Sequence, residues 1–437
     1  MRPTTKIKQI VLAIGDVLIL YLALALTLII RYRQLPSGET IDIHLQPFSL
    51  LFLFWILVFY IVGLYEIRRL KNNLEFFKNF GSALAINSII SVIFFYLLTN
   101  YGIAPKTNLL IFIVVVFFLE YIWRAFYNNF IGQRLPQTRA LLVGKNETTS
   151  QLLIFIKQNP QLGYDAELCQ EVAELIPAVS GKRVEIIVIE PELKRDPKLT
   201  ALVYKYLTAG LEVVDTTSFY ETLQGKLPVS DLGESWFLET IIHRRRLYDF
   251  FRIPLEILLA IVLIILLSPL LLLTALLIKL VSPGSIFFSH TRIGELGRPF
   301  TLYKFRSMVA NAEKHGAEWV KDDDSRITFL GRLLRRTHLD ELPQLFNIIR
   351  GELSFVGPRP ERPEFVEQLK ETIPYYELRQ IVKPGITGWA QINYRRTVSI
   401  EEAFEKLQYD LYYVKNRSLW LDLGIIIKTI KMFFVKN

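Results

Sequence analysis

Apolar and polar positions divide the 437-residue chain into three stretches of different period. The first third carries four apolar runs, at about 10–30, 48–64, 81–98 and 109–123. Each approaches the ~20 residues a helix needs to cross ~30 Å of hydrocarbon, the fourth being the shortest. A transmembrane bundle of four helices over residues 1–124 is therefore expected. Arg2, Lys6 and Lys8 precede the first run without a small-residue cleavage pattern, which argues against a removed signal peptide. The 65–80 loop holds Arg68, Arg69, Lys71 and Lys78, and Arg124, Arg134 and Arg139 follow the fourth run. The 99–108 loop has only Lys106, and the 31–47 loop balances Arg31 and Arg33 with Glu39 and Asp42. Both ends of the bundle should face the cytoplasm. Asp16 and Glu120 lie near the span ends, which gives a transport pathway little support.

From Arg139 the period shortens. Ala140-Leu141-Leu142-Val143-Gly144 reads as a buried strand, followed by a helix over about 147–158. Residues 184–189 and 211–214 read as two more strands. Strands alternating with helices imply a small α/β unit with a parallel sheet, a Rossmann-like module over 139–235. Yet Gly144-Lys145-Asn146-Glu147-Thr148-Thr149 lacks the spaced glycines that let a backbone approach a pyrophosphate, so no dinucleotide is expected there. An assembly or regulatory role is favoured instead.

The longest apolar run, residues 253–281, follows the basic cluster His243-Arg244-Arg245-Arg246. As one helix it would reach ~43 Å, long for a simple crossing. Ser268-Pro269 lies near its middle, and proline removes a backbone hydrogen bond and crowds the preceding turn, so a kink or break is expected there. Each half, at ~22 Å or less, is too short to span alone. Two topologies fit: a kinked fifth span, or a hairpin that enters and leaves on one face.

Composition adds the setting. Hydrophobic residues make up 51% of the chain, with 30 Phe and 20 Tyr, as befits a membrane protein carrying a soluble portion. The net charge of +9 could suggest nucleic acid. Here the basic residues flank apolar runs, which points to anionic headgroups and topology. Cys169 is the single cysteine, which excludes an internal disulfide. The five histidines (His44, His243, His290, His315 and His338) show no zinc-ligand spacing.

The last stretch, 283–437, reads as a mostly helical domain lying on the membrane. Leu419, Leu421, Leu423, Ile425–Ile427, Ile430, Phe433 and Phe434, with Lys428, Lys431 and Lys436, suit an interfacial amphipathic helix; packing against the Rossmann-like module is the alternative. Tyr409, Tyr412, Tyr413 and Trp420 suit an aromatic belt at headgroup depth. Within this stretch, Asp340 and Glu341 stand two positions before Pro343. Proline is tolerated in a helix's first turn, so a helix should begin at or just before Glu341, with Leu342, Leu345, Phe346 and Ile349 on one apolar face and Gly351 as the stop. An Asp-Glu pair at a helix start can be a cap. Here Arg332, Arg335 and Arg336 precede it, and Arg359 and Arg362 follow. Carboxylates among arginines suit a site where a metal and phosphates meet.

Leu339-Asp340-Glu341-Leu342-Pro343-Gln344-Leu345, then Gly351-Glu352-Leu353-Ser354-Phe355-Val356-Gly357-Pro358-Arg359-Pro360, resembles the signature of the bacterial sugar transferases, the polyprenyl-phosphate sugar-1-phosphate transferases. Lys304-Phe305-Arg306-Ser307-Met308 and Lys383-Pro384-Gly385-Ile386-Thr387-Gly388-Trp389-Ala390-Gln391-Ile392-Asn393 match flanking motifs of that family in order. The longer members carry four N-terminal spans and a Rossmann-like module, and they initiate cell-surface polysaccharides. The resemblance implies a membrane protein of α and α/β parts: the bundle, the module, and a monotopic catalytic domain over 247–437 with a re-entrant helix broken at Ser268 and Pro269. It implies transfer of a sugar 1-phosphate from a UDP-sugar, of glucose or galactose type, to polyprenyl (undecaprenyl) phosphate, with release of UMP.

By the same resemblance Asp340 is the nucleophile that forms an aspartyl-phosphosugar, Glu341 the ligand of a Mg2+ ion, and Arg335 a phosphate-binding arginine. Lys304, Arg306 and Arg359 are expected to contact phosphates; headgroup contact is their other reading. The expected location is the cytoplasmic (inner) membrane of a bacterium, with the catalytic domain on the cytoplasmic face. Membrane lipids are the expected surroundings, a homodimer a possible assembly, and nucleic acid is not an expected partner. His338 stands where the family often has serine and Tyr394 where it often has glycine, and neither is expected to touch the dyad. Two other functions compete: an inverting glycosyltransferase, which would release UDP and need a nucleotide-binding α/β domain, and a non-catalytic scaffold in which the carboxylates only cap a helix.

Overall fold

A computed structural model of the protein describes residues 3–65, 74–97, 106–131, 137–170, 184–208, 210–241, 246–281, 284–309, 326–394 and 399–434. The basic cluster at His243–Arg245 and the histidine at 315 lie outside these residues. The chain forms two compact units, Met1–Leu223 with Phe434–Asn437, and Gln224–Phe433.

In the first unit, helices α1 (Pro3–Tyr32), α2 (Gly38–Val62), α3 (Leu74–Leu97) and α4 (Lys106–Phe126) are the four expected spans. Each is long and apolar enough to cross a membrane. Their inner faces are aromatic: Phe48, Phe52 and Trp55 of α2 all lie 5.2–5.6 Å from the Phe112 ring of α4. Asp16 and Glu120 point into this bundle, both fully buried. Arg124 binds Asp16 and gives a second hydrogen bond to the Leu64 carbonyl at 2.7 Å. In hydrocarbon a charge must find its partner inside the protein, and this pair does so.

The α/β part has four parallel strands in the order β2-β1-β3-β4. Strands β1 (Thr138–Val143), β3 (Ile186–Ile189) and β4 (Glu212–Asp215) are those the sequence predicts. Strand β2 (Tyr164–Cys169) was not foreseen, although Asp165 and Glu167 point out from an edge position and give it the alternation of a half-buried strand. Helix α5 (Glu147–Gln158) begins after β1, capped by Asn146, whose Oδ1 accepts from Thr149 N. In dinucleotide-binding folds the pyrophosphate rests at this helix start. Here the Glu190 carboxylate, from the end of β3, occupies it. Glu190 Oε1 accepts from Asn146 N at 2.7 Å and from the Thr149 hydroxyl at 3.0 Å. A Cβ on Gly144 would meet that carboxylate at 1.9 Å. The position that would hold a ligand anion carries one of the protein's own. Helices α6 (Pro197–Thr208) and α7 (Thr216–Gln224) complete the module.

The second unit begins with Leu227, Val229 and helix α8 (Glu234–Thr240), which pack against residues 366–414 rather than extending the module to 235. Helix α9 (Arg246–Val281) then runs as one element through Pro254 and Pro269. The expected break at Ser268-Pro269 does not end the helix, and the reason is local. Proline at 269 leaves the Ile265 carbonyl without its usual N–H donor, and the Ser268 hydroxyl supplies one at 2.8 Å. Both arms of α9 pack on the same globular unit. Ala260, Leu263 and Ile264 meet Leu302, Leu345 and Leu353, while Leu271, Ala275 and Ile278 meet Phe305, Leu334 and Leu342.

The hairpin β5 (Phe287–Ile293) and β6 (Pro299–Phe305) follows, then α10 (Phe329–Arg336), α11 (Gln344–Ile349), β7 (Ser354–Val356), α12 (Pro363–Thr372), β8 (Gly385–Thr387), α13 (Trp389–Asn393), α14 (Ile400–Asn416) and α15 (Leu419–Phe434). Of the expected aromatic belt, Trp420 is 83% exposed, but Tyr413 is buried and donates to Asp422 at 2.9 Å. The 3.6-residue period of α14 turns it inward, so it belongs to the core.

Two outcomes follow from this packing. Isothermal titration of the detergent-solubilised chain with NAD, NADP and FAD is expected to give no heat beyond dilution; micromolar binding of any of them would show that Glu190 yields its place to a ligand. Single cysteines at Ser235, before α9, and Ser285, after it, are expected to react with an impermeant maleimide from the same side of the membrane. Labelling from opposite sides would make α9 a fifth crossing.

Candidate active site

The dyad does not open a helix as expected. A 3-10 turn, Leu339–Glu341, carries it, and α11 starts three residues later with Pro343 as its N-cap. Pro343 thus closes the turn instead of sitting inside the first helical turn. His338 enters the turn at φ 53°, a left-handed conformation that favours glycine, and so reverses the chain between α10 and the dyad. Arg335 therefore belongs to a separate helix from Asp340. Phe346, expected on the apolar face, is 44% exposed, while Leu345 and Ile348 are buried.

Backbone contacts fix the turn from three sides. Asn347, fully buried, donates to the Thr301 carbonyl and to Glu352 Oε2, each at 2.7 Å, and its Oδ1 accepts from Tyr303 N at 3.2 Å. It ties α11 to β6, so this motif residue is structural. Gly331 of α10 lies so close to Ser307 that a Cβ would sit 1.8 Å from the Ser307 carbonyl oxygen. Strands β7 and β8 pair in parallel through Gly357 and Gly385, whose added Cβ would stand 2.1 Å from Gly357 N. That pairing presents Pro358-Arg359.

These elements enclose a cavity of about 490 Å³. All six residues expected at the reacting centre line it: Asp340, Glu341, Lys304, Arg306, Arg335 and Arg359. Ser268 and Pro269 do not. Lys304 Nζ donates to Glu341 Oε1 at 2.7 Å and Arg359 Nη2 approaches the same oxygen at 3.5 Å. Burial would raise the Glu341 pKa, but Lys304 and Arg359 outweigh it and hold the carboxyl at about 2. Asp340 is treated in the opposite way. It is only 7% exposed and accepts no hydrogen bond from any described residue. Burial, aided by the Glu341 charge, raises its pKa, against the pull of Lys304 and Arg335. One carboxylate is clamped and the other is left bare. Arg335 is itself held by Ser307, its Nε donating to the hydroxyl at 2.8 Å.

Three cavity residues escaped the reading of the sequence. His338, thought to be clear of the dyad, lines the same cavity, and its carbonyl accepts from Glu341 N at 3.1 Å. His290 and Arg292 also line it. They sit on β5, a strand of mixed polar and apolar residues with no motif the sequence reading had singled out, and only the β5–β6 pairing brings them to Lys304.

The donor set can be tested against magnesium, which is usually held by one or two carboxylates with waters and phosphates completing six oxygens. Among the described residues no group of three or more His, Cys, Asp or Glu forms a ready cage. Glu341 is anionic, and its Oε2 takes no hydrogen bond from a described residue. One carboxylate oxygen without a described hydrogen bond, beside Lys304 and Arg359, fits a magnesium ion whose remaining ligands are waters or a bound anion.

The bacterial sugar transferase profile matches residues 247–436. The chain is 32% identical over 337 residues to the UDP-glucose:undecaprenyl-phosphate glucose-1-phosphate transferase of Xanthomonas campestris pv. campestris, covering 70% of this chain and 68% of that one. It is 43% identical over 223 residues to the UDP-N-acetylgalactosamine-undecaprenyl-phosphate N-acetylgalactosaminephosphotransferase of Aeromonas hydrophila, covering 51% of this chain and 52% of that one. It is also 43% identical over 184 residues to the UDP-glucose:undecaprenyl-phosphate glucose-1-phosphate transferase of Escherichia coli K12, covering 42% and 40%. The match to the last two thus spans about half of their length or less.

Proposed function

The chain belongs to the bacterial sugar transferase family, and from that premise we propose that it moves a sugar 1-phosphate from a UDP-sugar to undecaprenyl phosphate, releasing UMP. The relatives' names differ in the sugar, so the hexose is left open between glucose, galactose and N-acetylgalactosamine types. The observation that carries the reading is Asp340: a buried carboxylate, bare of hydrogen bonds from described residues, on the wall of a cavity with six cationic side chains.

In this mechanism an Asp340 oxygen attacks the phosphorus that bears the sugar. The bond from that phosphorus to the bridging oxygen breaks, UMP leaves, and an aspartyl-phosphosugar remains. A phosphate oxygen of the polyprenyl phosphate then attacks the same phosphorus and frees Asp340. Splitting the transfer keeps the polyprenyl phosphate and the intact UDP-sugar diphosphate from having to occupy the cavity together. Lys304, Arg306, Arg335 and Arg359 hold phosphate oxygens and neutralise charge that builds on them. Magnesium bound through Glu341 supplies further neutralisation of phosphate charge. A raised pKa makes the Asp340 carboxylate, in its ionised form, a stronger base than an ordinary aspartate.

The setting is a bacterial inner membrane with the catalytic unit on the cytoplasmic side, where nucleotide-activated sugars are made. The basic loops of the bundle support this, and the packing of both arms of α9 on one unit supports a re-entrant course.

Incubating the protein with radiolabelled UDP-sugar, without polyprenyl phosphate, is expected to release UMP and leave label on Asp340. Asp340→Asn should reduce turnover to background with the protein still folded. Asp340→Glu shifts the oxygen, and ~1 Å of misplacement can cost about a hundredfold. Glu341→Gln should recover part of its loss at raised magnesium. Label on Glu341, or UMP release that needs both substrates, would overturn the assignment.

The charge state gives an independent measurement. A nucleophile that must be ionised fails as pH falls through its pKa, so a raised pKa moves that failure to higher pH. The acid limb of kcat/KM should lie above the ~3.9 of an ordinary aspartate. Lys304→Met removes a charge that holds the Asp340 pKa down and should move the limb further up. A limb unmoved by that substitution would detach it from Asp340.

A further inference from the structure

The β5 side of the cavity, next to Lys304 of β6, holds a pair that the mechanism above leaves unused. His290 and Arg292 sit two apart on β5, so both side chains leave the strand on one face. Arg292 Nε lies 2.6 Å from His290 Nε2. An arginine Nε–H can only donate, so His290 Nε2 must offer its lone pair, and the imidazole proton sits on Nδ1. The ring is therefore neutral by geometry. Its surroundings agree: burial first, then the charges of Arg292, Lys304, Arg362 and Arg359, depress its pKa to about 3. Nδ1 is buried with no acceptor among the described residues, so the ring's one satisfied polar atom is the lone pair turned to Arg292.

Arg292 is gripped at a second point. Its Nη1 donates to the Pro360 carbonyl at 3.0 Å and lies 3.6 Å from Glu361 Oε2. Glu361 is itself held by Lys406 at 2.9 Å. With Nε and Nη1 committed, Nη2 takes no acceptor from any described residue, while the side chain lines the cavity. A planar guanidinium fixed along one edge presents its remaining edge, a geometry suited to a phosphate oxygen. Burial, reinforced by neighbouring Arg359 and Arg362, lowers the Arg292 pKa to about 10 despite Glu361. A guanidinium crowded by like charges is stabilised by an incoming anion.

We propose that Arg292 is a further phosphate-binding cation of this cavity and that His290 is its positioning residue, holding the guanidinium through a bare Nε2 so that its free edge meets a substrate phosphate. The proposal deepens the transferase reading and rests on it. The phosphate belongs either to the nucleoside diphosphate donor or to the polyprenyl phosphate acceptor, and the test separates the two.

The full-length protein in detergent is compared as wild type, His290→Leu, His290→Gln, Arg292→Ala, Arg292→Lys and the His290→Leu/Arg292→Ala double variant. Equilibrium binding of UDP and of undecaprenyl phosphate is measured first, then KM and kcat with the UDP-sugar that the wild type turns over. His290→Leu and Arg292→Ala should each weaken one of the two ligands by about ten- to a hundredfold, the worth of a hydrogen bond to a charged group. Loss with UDP assigns the donor phosphate, and loss with undecaprenyl phosphate assigns the acceptor. KM should rise with that ligand while kcat changes by no more than a few-fold. His290→Gln, whose side-chain oxygen can accept from Arg292 Nε, should bind within a few-fold of wild type. The double variant should be no worse than Arg292→Ala, because His290 acts through Arg292.

The proposal is overturned if His290→Gln is as poor as His290→Leu, if kcat collapses while binding of both ligands is unchanged, or if the double variant shows additive losses. Should His290→Leu fail to fold, Arg292→Lys decides. It keeps a charge but loses the edge that His290 holds, so wild-type binding by Arg292→Lys also overturns the proposal. A wild type that binds UDP yet releases no UMP from any UDP-sugar refutes the transferase reaction instead and leaves the binding comparison standing.

Discussion

The catalytic unit depends on how a single ion pair divides the labour between two neighbouring carboxylates. Lys304, at the end of β6, is committed to Glu341 at 2.7 Å. Arg359, presented by the β7–β8 pairing, leans on the same oxygen. Glu341 consequently stays anionic far below the ordinary carboxylate range, while Asp340, one residue earlier, takes no hydrogen bond from Lys304 and feels its charge only as a pull that burial outweighs. Two adjacent acids with diverging pKa values are the usual mark of two chemical roles. Both carboxylates lie on the 3-10 turn Leu339–Glu341, between α10 and α11. His338, in its left-handed conformation, makes that turn possible.

The membrane-facing parts obey one further constraint, that polar groups in apolar surroundings must be satisfied internally. Arg124 answers Asp16 inside the bundle, and the Ser268 hydroxyl answers the Ile265 carbonyl that Pro269 orphans. The two cases share a logic: the sequence places the offending residue and its remedy within one unit, in the second case one residue apart.

How far the sequence could be read follows from which of these effects are local. Span positions depend on hydropathy summed over a whole helix, and three of the module's four strands are built on short apolar runs, so both were legible. The motif strings named the cavity residues Lys304, Arg306, Arg335, Arg359, Asp340 and Glu341 without any geometry. Misreadings arose where a residue type admits two roles that only packing decides. Pro343 caps a helix instead of opening it. Ser268 repairs the proline site that was expected to break. Asp165 and Glu167 lower the apolar content of an edge strand whose signal is alternation alone. Tyr413 looks interfacial by composition and is core by helical phase. Arg292 was invisible for a different reason: its importance depends on β5 pairing with β6, a register no pattern within β5 encodes.

The arginines of the cavity share a design that explains why so many like charges can stand together. Three of the five have a contact that fixes them. Arg335 is held by Ser307, Arg292 by His290 and the Pro360 carbonyl, and the Arg359 backbone by Arg379, whose Nη2 donates to its carbonyl at 2.9 Å. Arg379 is in turn paired with buried Asp410, and Glu361 with Lys406. A second layer of opposite charges thus offsets the repulsion among the cations in front. Long side chains that would otherwise lose ~2 kcal/mol of rotamer freedom each on meeting a ligand are already ordered by these contacts. Such cations are fixed in place before any ligand arrives, and an anion entering the cavity would relieve the repulsion among them. The Asp340 carboxylate takes no hydrogen bond from any described residue and stands outside this scaffolding, in keeping with the nucleophile proposed for it.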